Sequence, residues 1–408
     1  GGCRDLDDVC AVCIANVLHD RGEAELLAVV VNTTPLHCPG VVSAINHYFG
    51  HDDVPIGSFK DASSTPGGMP GLGIPSDRLP YVDAVATRWA APVHNATQVP
   101  DAIEVYRRVL SSQPDHSVTI SSIGLSSNLK GLLTSEADEH SPLNGHDLVA
   151  KKVKMLAVMG GRYTEPMAVE CNLAGGGGDD HKTGAADSAY VYSHWPPTVR
   201  LLFDGFNMGA AVHTGAPLGD CTPIGNPCRQ AFLDTVGYGG TRDSFDPLTT
   251  LIAVRGLEAV GMSESTIDGT NFVNGTTGAN HWVPGPKSNQ SYVLPGPKST
   301  WATDARDMMD ALLCQPPKQP PGDGAERPQP YPITSTWGKF SELAMSGATA
   351  AAGGSHDRSA FDDDIYTYYQ YAGGPDGAWT AVELRDEEEV VFIEFYARAD
   401  SREFLNRT

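Results

Sequence analysis

Apolar, β-rich runs alternate with helical ones from the start of the chain to about residue 260, and nothing else in the sequence constrains the fold as strongly. Residues 9–19 read as a helix, 26–31 as a strand and 41–49 as a helix. Further on, 118–121, 153–159 and 199–203 read as strands, with 129–133 and 248–257 as helices. The strand runs are predominantly apolar, so both of their faces must be covered. This predicts the α/β class: a doubly wound, mostly parallel sheet with ligands beyond the C-terminal ends of its strands.

At 408 residues the chain exceeds one ordinary domain. Residues 265–300 read as polar and turn-rich, with Pro-Gly-Pro-Lys-Ser at 284–288 and again at 295–299, and a helix follows at 303–313. Residues 314–332 are crowded with proline and predict an extended linker between a first domain, 1–313, and a second, 333–408. The second alternates as strands do, notably over 390–396, and is predicted to be all-β.

Lys and Arg total 28 against 50 Asp and Glu, a formal charge of −22, which repels phosphate backbones and excludes a nucleic-acid polymer as a natural partner. No apolar run approaches the roughly 20 residues a membrane-spanning helix needs. Of eight cysteines, Cys221 and Cys228 enclose the turn-rich loop Thr-Pro-Ile-Gly-Asn-Pro and are expected to bridge. Cys10 and Cys13, at helical spacing, are expected to pack as a core pair. Glycan acceptor triplets begin at Asn32, Asn95, Asn274, Asn289 and Asn406. With the cysteines they predict a secreted protein glycosylated at Asn95, Asn274 and Asn289, its leader removed or lying upstream of Gly1.

Asp5, Asp7 and Asp8 run directly into an apolar helix. A helix dipole rewards one or two acids there by roughly 0.3 to 1 kcal/mol each, so a bound divalent cation accounts better for three. Farther along, Pro247 at a first helical position makes Asp246 read as an N-cap.

The order of several stretches adds a resemblance to these readings. Asp5 to Asp8, ELLAVVVN ending at Asn32, Ile123 to Leu129 (IGLSSNL), Val158 to Tyr163 (VMGGRY), Glu170-Cys171-Asn172 and Asp246-Pro247-Leu248 follow one another as in the inosine-uridine-preferring nucleoside hydrolases. Over roughly the first 310 residues the chain resembles that family. The resemblance implies a Ca²⁺ site made by Asp8, Asp246 and the backbone carbonyl of Ile123, with Asp7, Asn32, Glu170 and Asn172 holding the hydroxyls of a ribonucleoside. Asp7, Asn172 and Asp5 are the implied catalytic residues. The family places a further Asp ahead of the acidic pair as the base; by the common spacing that position falls on Cys3, and in longer variants near or before Gly1. Either the base lies upstream, or Asp5 substitutes, or catalysis is impaired. Phe245 stands where several members have His and Asn207 where related sequences often carry Glu, so base preference does not carry over; His213 reads as a structural loop histidine.

Residues 341–407 resemble the first half of a coagulation-factor discoidin-like module through Ser359 to Asp364, Gly377 to Thr380 and Ile393 to Arg398. That implies a partial β-sandwich, with carbohydrate as a candidate partner and a larger extracellular assembly or oligomer around it. Two functions from different classes are therefore expected: secreted, Ca²⁺-dependent hydrolysis of ribonucleosides, which is favoured, or a catalytically impaired structural or adhesive protein on the same fold.

Overall fold

The computed structural model describes residues 6–32, 36–60, 80–89, 91–165, 167–175, 182–223, 225–318, 349–352 and 380–383. The chain divides into two compact units, 1–328 and 329–408. In the first unit the strands are β1 (Val29–Val31), β2 (Ile56–Ser58), β3 (Val118–Ser122), β4 (Val153–Met159), β5 (Ala168–Val169) and β6 (Arg200–Asp204). They continue with β7 (His213–Thr214), β8 (Arg242–Asp243), β9 (Ser263–Glu264), β10 (Gly269–Val273), β11 (Ala279–Pro284) and β12 (Gln290–Leu294).

Among the described residues the largest sheet runs β3-β4-β6-β12-β9. Its β3/β4, β4/β6 and β6/β12 pairs are parallel, and only β9 runs against them. β1 and β2 form a separate parallel pair. Successive residues of each central strand go to opposite hydrophobic cores. Met155, Ala157, Leu202 and Val293 pack with the helices Leu6–Asp20, Cys38–Phe49, Phe245–Arg255 and Trp301–Leu313. Leu156, Val158, Leu201, Phe203 and Tyr292 pack with Ser127–Thr134, Gly145–Lys152 and Lys182–His194. Burial on both faces is what these predominantly apolar runs require, and the α/β, doubly wound reading holds.

Two expectations fail here. Residues 265–300, read as turn-rich, supply β10, β11 and β12. β12 is Gln-Ser-Tyr-Val-Leu, so short a run between the two Pro-Gly-Pro-Lys-Ser copies that periodicity hides it, yet its middle three residues are buried. Asp246 is not an N-cap either: the helix Phe245–Arg255 starts two residues before Pro247 and Ser244 holds the cap position. Proline is tolerated within a first turn because the N–H it lacks would have had no helical partner.

The cysteine pairing is also corrected. Cys221 and Cys228 do not bridge each other; Cys13 is joined to Cys228 and Cys221 to Cys314. Asn226 caps the helix Pro227–Val236 by accepting from the backbone N–H groups of Cys228 and Arg229, and this fixes Cys228 in the buried first turn, bonded to the Leu6–Asp20 helix. Cys10 and Cys13 are both buried, but only Cys10 keeps its thiol; Cys13 is half of a disulfide. Cys38 is disulfide-bonded as well.

In the second unit the described residues form one antiparallel pair, β13 (Thr349–Ala352) with β14 (Thr380–Glu383). The motifs at 359–364 and 393–398 lie outside the described residues.

Candidate metal and nucleoside site

The parallel order puts the ends of β3, β4 and β6 at one edge of the sheet, and the site assembles there. Asp7 and Asp8 occupy the first turn of Leu6–Asp20, and Asp246 the first turn of Phe245–Arg255. These two helices pack against each other in the same core. One carboxylate oxygen from each of the three residues lies within 4.8 Å of the others, and all three residues are buried. Burial and the neighbouring charges of Asp7 and Asp8 push the Asp246 carboxyl well above the ordinary carboxylate range. Three buried carboxylates cannot all ionise side by side without a cation, and hard oxygen donors are what Ca²⁺ selects.

A cleft beside the cluster is lined by Asp8, Asn32, Ser122, Ile123, Leu125 and Asn128. Asn32 Nδ2 donates to the Leu125 carbonyl at 3.0 Å and Asn128 Nδ2 donates to the Val31 carbonyl at 3.1 Å, tying the end of β1 to the loop after β3. The Oδ1 atom of each asparagine is buried with no hydrogen-bond partner, an arrangement that costs about 1–3 kcal/mol per atom unless a ligand supplies a donor or a cation. Asn128 lies in a motif quoted above but had no expected role; its signal is structural, since only the fold shows that its amide is pinned. The donor set therefore fits a hard cation and a polyhydroxylated ligand.

The other expected residues divide. Asn172 follows β5, and its Nδ2 donates to the carbonyl of Met159 at the end of β4 at 3.2 Å. Glu170 is buried and caps the short helix Cys171–Ala174, its carboxylate accepting from the backbone N–H groups of Asn172, Leu173 and Gly161. Burial raises its pKa and those three bonds oppose the rise, so the group acts first as a local brace. Asp5 lies outside the described residues. His213 Nδ1 sits 2.8 Å from Asp243 Oδ1 on the β7/β8 ribbon, away from the cluster face that Arg242 takes as partner of Thr214. Phe245 packs on Phe206, whose ring also carries the Arg162 guanidinium at 3.8 Å, and Asn207 bonds Thr164. Asn289 Nδ2 donates to the carbonyls of Pro196 and Val199, so a glycan there would break at least one of those bonds. Asn95 and Asn274 engage through Oδ1. A larger hollow of about 360 Å³, lined by Leu133, His146, Tyr190, His194, Trp195 and Pro197, gathers no carboxylates.

Asp204 is the site-edge residue that sequence reasoning missed. It ends β6, and Thr249, one turn beyond Asp246, donates to its Oδ2 at 2.8 Å while Oδ1 is buried without a partner. Burial raises its pKa from 3.8 to about 7, against the Thr249 bond. A carboxyl whose folded pKa is raised stabilises fully below the unfolded value and loses that contribution as pH climbs to the folded one. At about 1.36 kcal/mol per pH decade, the wild type should lose on the order of 4 kcal/mol between about pH 4 and pH 7 from this group, whereas Asp204→Asn should not. Urea denaturation of both proteins across that range tests this; parallel pH profiles would show that Asp204 is not the titrating group.

An α/β unit with acids gathered at the C-terminal edge of a parallel sheet is the class this geometry defines. Its fold is that of the nucleoside hydrolases. The chain is similar in structure to an inosine-uridine-preferring nucleoside hydrolase from Bacillus anthracis, with 15% identity, a TM-score of 0.51 and coverage of 76% of this chain and 96% of that one. It is similar to an inosine-guanosine nucleoside hydrolase with 14% identity, a TM-score of 0.52 and coverage of 77% and 96%. It is also similar to the type III effector XopQ, solved with adenosine diphosphate ribose, with 14% identity, a TM-score of 0.50 and coverage of 76% and 90%. No family model matches the chain, and no curated protein matches it.

Proposed function

We propose that this chain hydrolyses the N-glycosidic bond of ribonucleosides, releasing free base and ribose, with Ca²⁺ as cofactor and as a secreted glycoprotein. The observation that carries the reading is the convergence of Asp7, Asp8 and Asp246 in a buried cluster at the ligand edge of this fold. Asp8, Asp246 and the Ile123 carbonyl would hold the ion, which when bound supplies positive charge for fixing a ribose diol and acidifying water. Asp7, Asn32 and Asn172 orient the ribose hydroxyls, and Asn128 joins them through its unpartnered oxygen. As the bond to the base lengthens, the sugar gains oxocarbenium character, and the fixed carboxylates stabilise that charge with no reorganisation. Glu170 keeps the Asn172 turn in place.

Two disulfides that close long loops support an oxidising compartment, and Asn95 and Asn274 are acceptors held through Oδ1 rather than through the nitrogen a glycan would take. The discoidin-like reading of 341–407 and its carbohydrate partner rest on the sequence motifs. Chromatography of inosine and uridine incubated with the full-length protein tests the activity. Free base should appear in Ca²⁺, vanish with chelator and return on resupply; no release from any ribonucleoside would leave the structural or adhesive reading in its place.

A further inference from the structure

We propose that Arg242 sets the Ca²⁺ affinity of the Asp7–Asp8–Asp246 cluster, holding it low enough that the site fills only where calcium is plentiful. This deepens the reading above and rests on the cluster being a cation site.

The guanidinium Nε of Arg242 lies 4.0 Å from Asp7 Oδ1. Its placement is built in from both sides. In the β7/β8 ribbon Arg242 pairs with Thr214 and so shares its face, turned inward, where Thr214 is buried and bonds Ser244 Oγ at 2.7 Å. Ser244 N–H donates to the Val212 carbonyl at 2.8 Å, which pins the chain between Arg242 and Asp246. Phe245 then places its ring 5.9 Å from the Arg242 guanidinium carbon, with the Phe206 ring tilted against it at 5.0 Å. The side chain is about one-third exposed, so it keeps a route to water.

Arginine cannot shed its proton, so one fixed positive charge stands permanently beside the Asp7 carboxylate of the three-acid cluster. The other charged groups of the ribbon, His213 and Asp243, pair with each other on the opposite face. Arg242 thus eases the mutual repulsion of the acids when no ion is bound, and repels an arriving divalent ion. Ligand charge count is the lever by which calcium sites move from tight buffers to extracellular sites with dissociation constants of about 10⁻⁴–10⁻³ M. A cluster with this counter-charge should fall toward that weak end.

The test is a Ca²⁺ titration of the full chain, read by intrinsic tryptophan fluorescence and by the shift in melting temperature, independent of any substrate. Arg242→Met should bind Ca²⁺ on the order of ten- to a hundredfold more tightly than wild type. Arg242→Lys, which keeps the charge, should stay within about threefold of wild type. Arg242→Gln removes the same charge with a polar side chain and gives the reading should the Met variant not fold. Tighter binding in the neutral variants with near-normal binding in the Lys variant supports the proposal. Unchanged or weaker affinity in Met and Gln overturns it and leaves the cation site standing; no calcium response in any of the four proteins overturns both.

Discussion

Asp8→Ala and Asp246→Ala are each expected to lower kcat/KM for ribonucleoside hydrolysis by about a thousandfold or more, because under the proposed function each carboxylate would both bind the cation and face the developing positive charge. Stability should move in the opposite sense when no metal is present. Asp246 is held well above its ordinary pKa by burial and by Asp7 and Asp8, so ionising it costs folding free energy. The sign is that of a raised carboxyl: stability is present at low pH and lost as pH rises toward the folded value. Asp246→Asn should therefore melt higher than wild type in chelator at neutral pH, and lower than wild type in saturating calcium. Crossing of the two melting curves identifies a cation site; a variant that keeps a tenth or more of wild-type turnover would remove Asp246 from it.

What could be read from the sequence was whatever is written locally. Residues 153–159 announce β4 to the residue because the run is apolar but for the exposed Lys154, and the five residues after it are all buried. Asp7 and Asp8 announce themselves by crowding a helix start, where local electrostatics alone gives too little reason for them. Asp246 was legible as an acid with a special backbone position, though the position was misjudged by a turn start: Ser244 is tied to Thr214, and this leaves the Asp246 carboxylate free of capping. The remaining features are products of long-range packing. Arg242 meets Asp7 across more than half the chain, through a two-residue ribbon with no periodicity to detect. Asp204 reads as the polar end of an apolar strand until Thr249 is seen above it. The cysteine error has the same origin. A short loop closes cheaply, so Cys221 and Cys228 look like natural partners, yet a folded core has already paid the closure entropy and pairs whichever thiols its helices bring together.

Those helices make the last expectation a large one. Cys13–Cys228 spans 215 residues and ties the helix that carries Asp7 and Asp8 to the helix Pro227–Val236. Cys221–Cys314 spans 93 residues and fastens the end of the short helix Leu218–Cys221 to the residue that follows Trp301–Leu313. A cross-link closing a loop of around 100 residues restricts the unfolded chain by about 4.7 kcal/mol, and a longer loop by slightly more. Replacing Cys221 and Cys314 together with Ser should thus lower the melting temperature by about 10 °C or more. Replacing Cys13 and Cys228 should cost a comparable amount and also weaken Ca²⁺ binding, because Cys13 lies on the same helix as Asp7 and Asp8 and its bridge restrains that helix within the shared core. Reduction of the wild type should reproduce both effects, while the double variant lacking Cys221 and Cys314 should keep its calcium affinity. Calorimetry with parallel calcium titrations separates the two bridges. A reduced wild-type protein that melts within about 2 °C of the oxidised one would mean the bridges add little to packing that already holds these helices together.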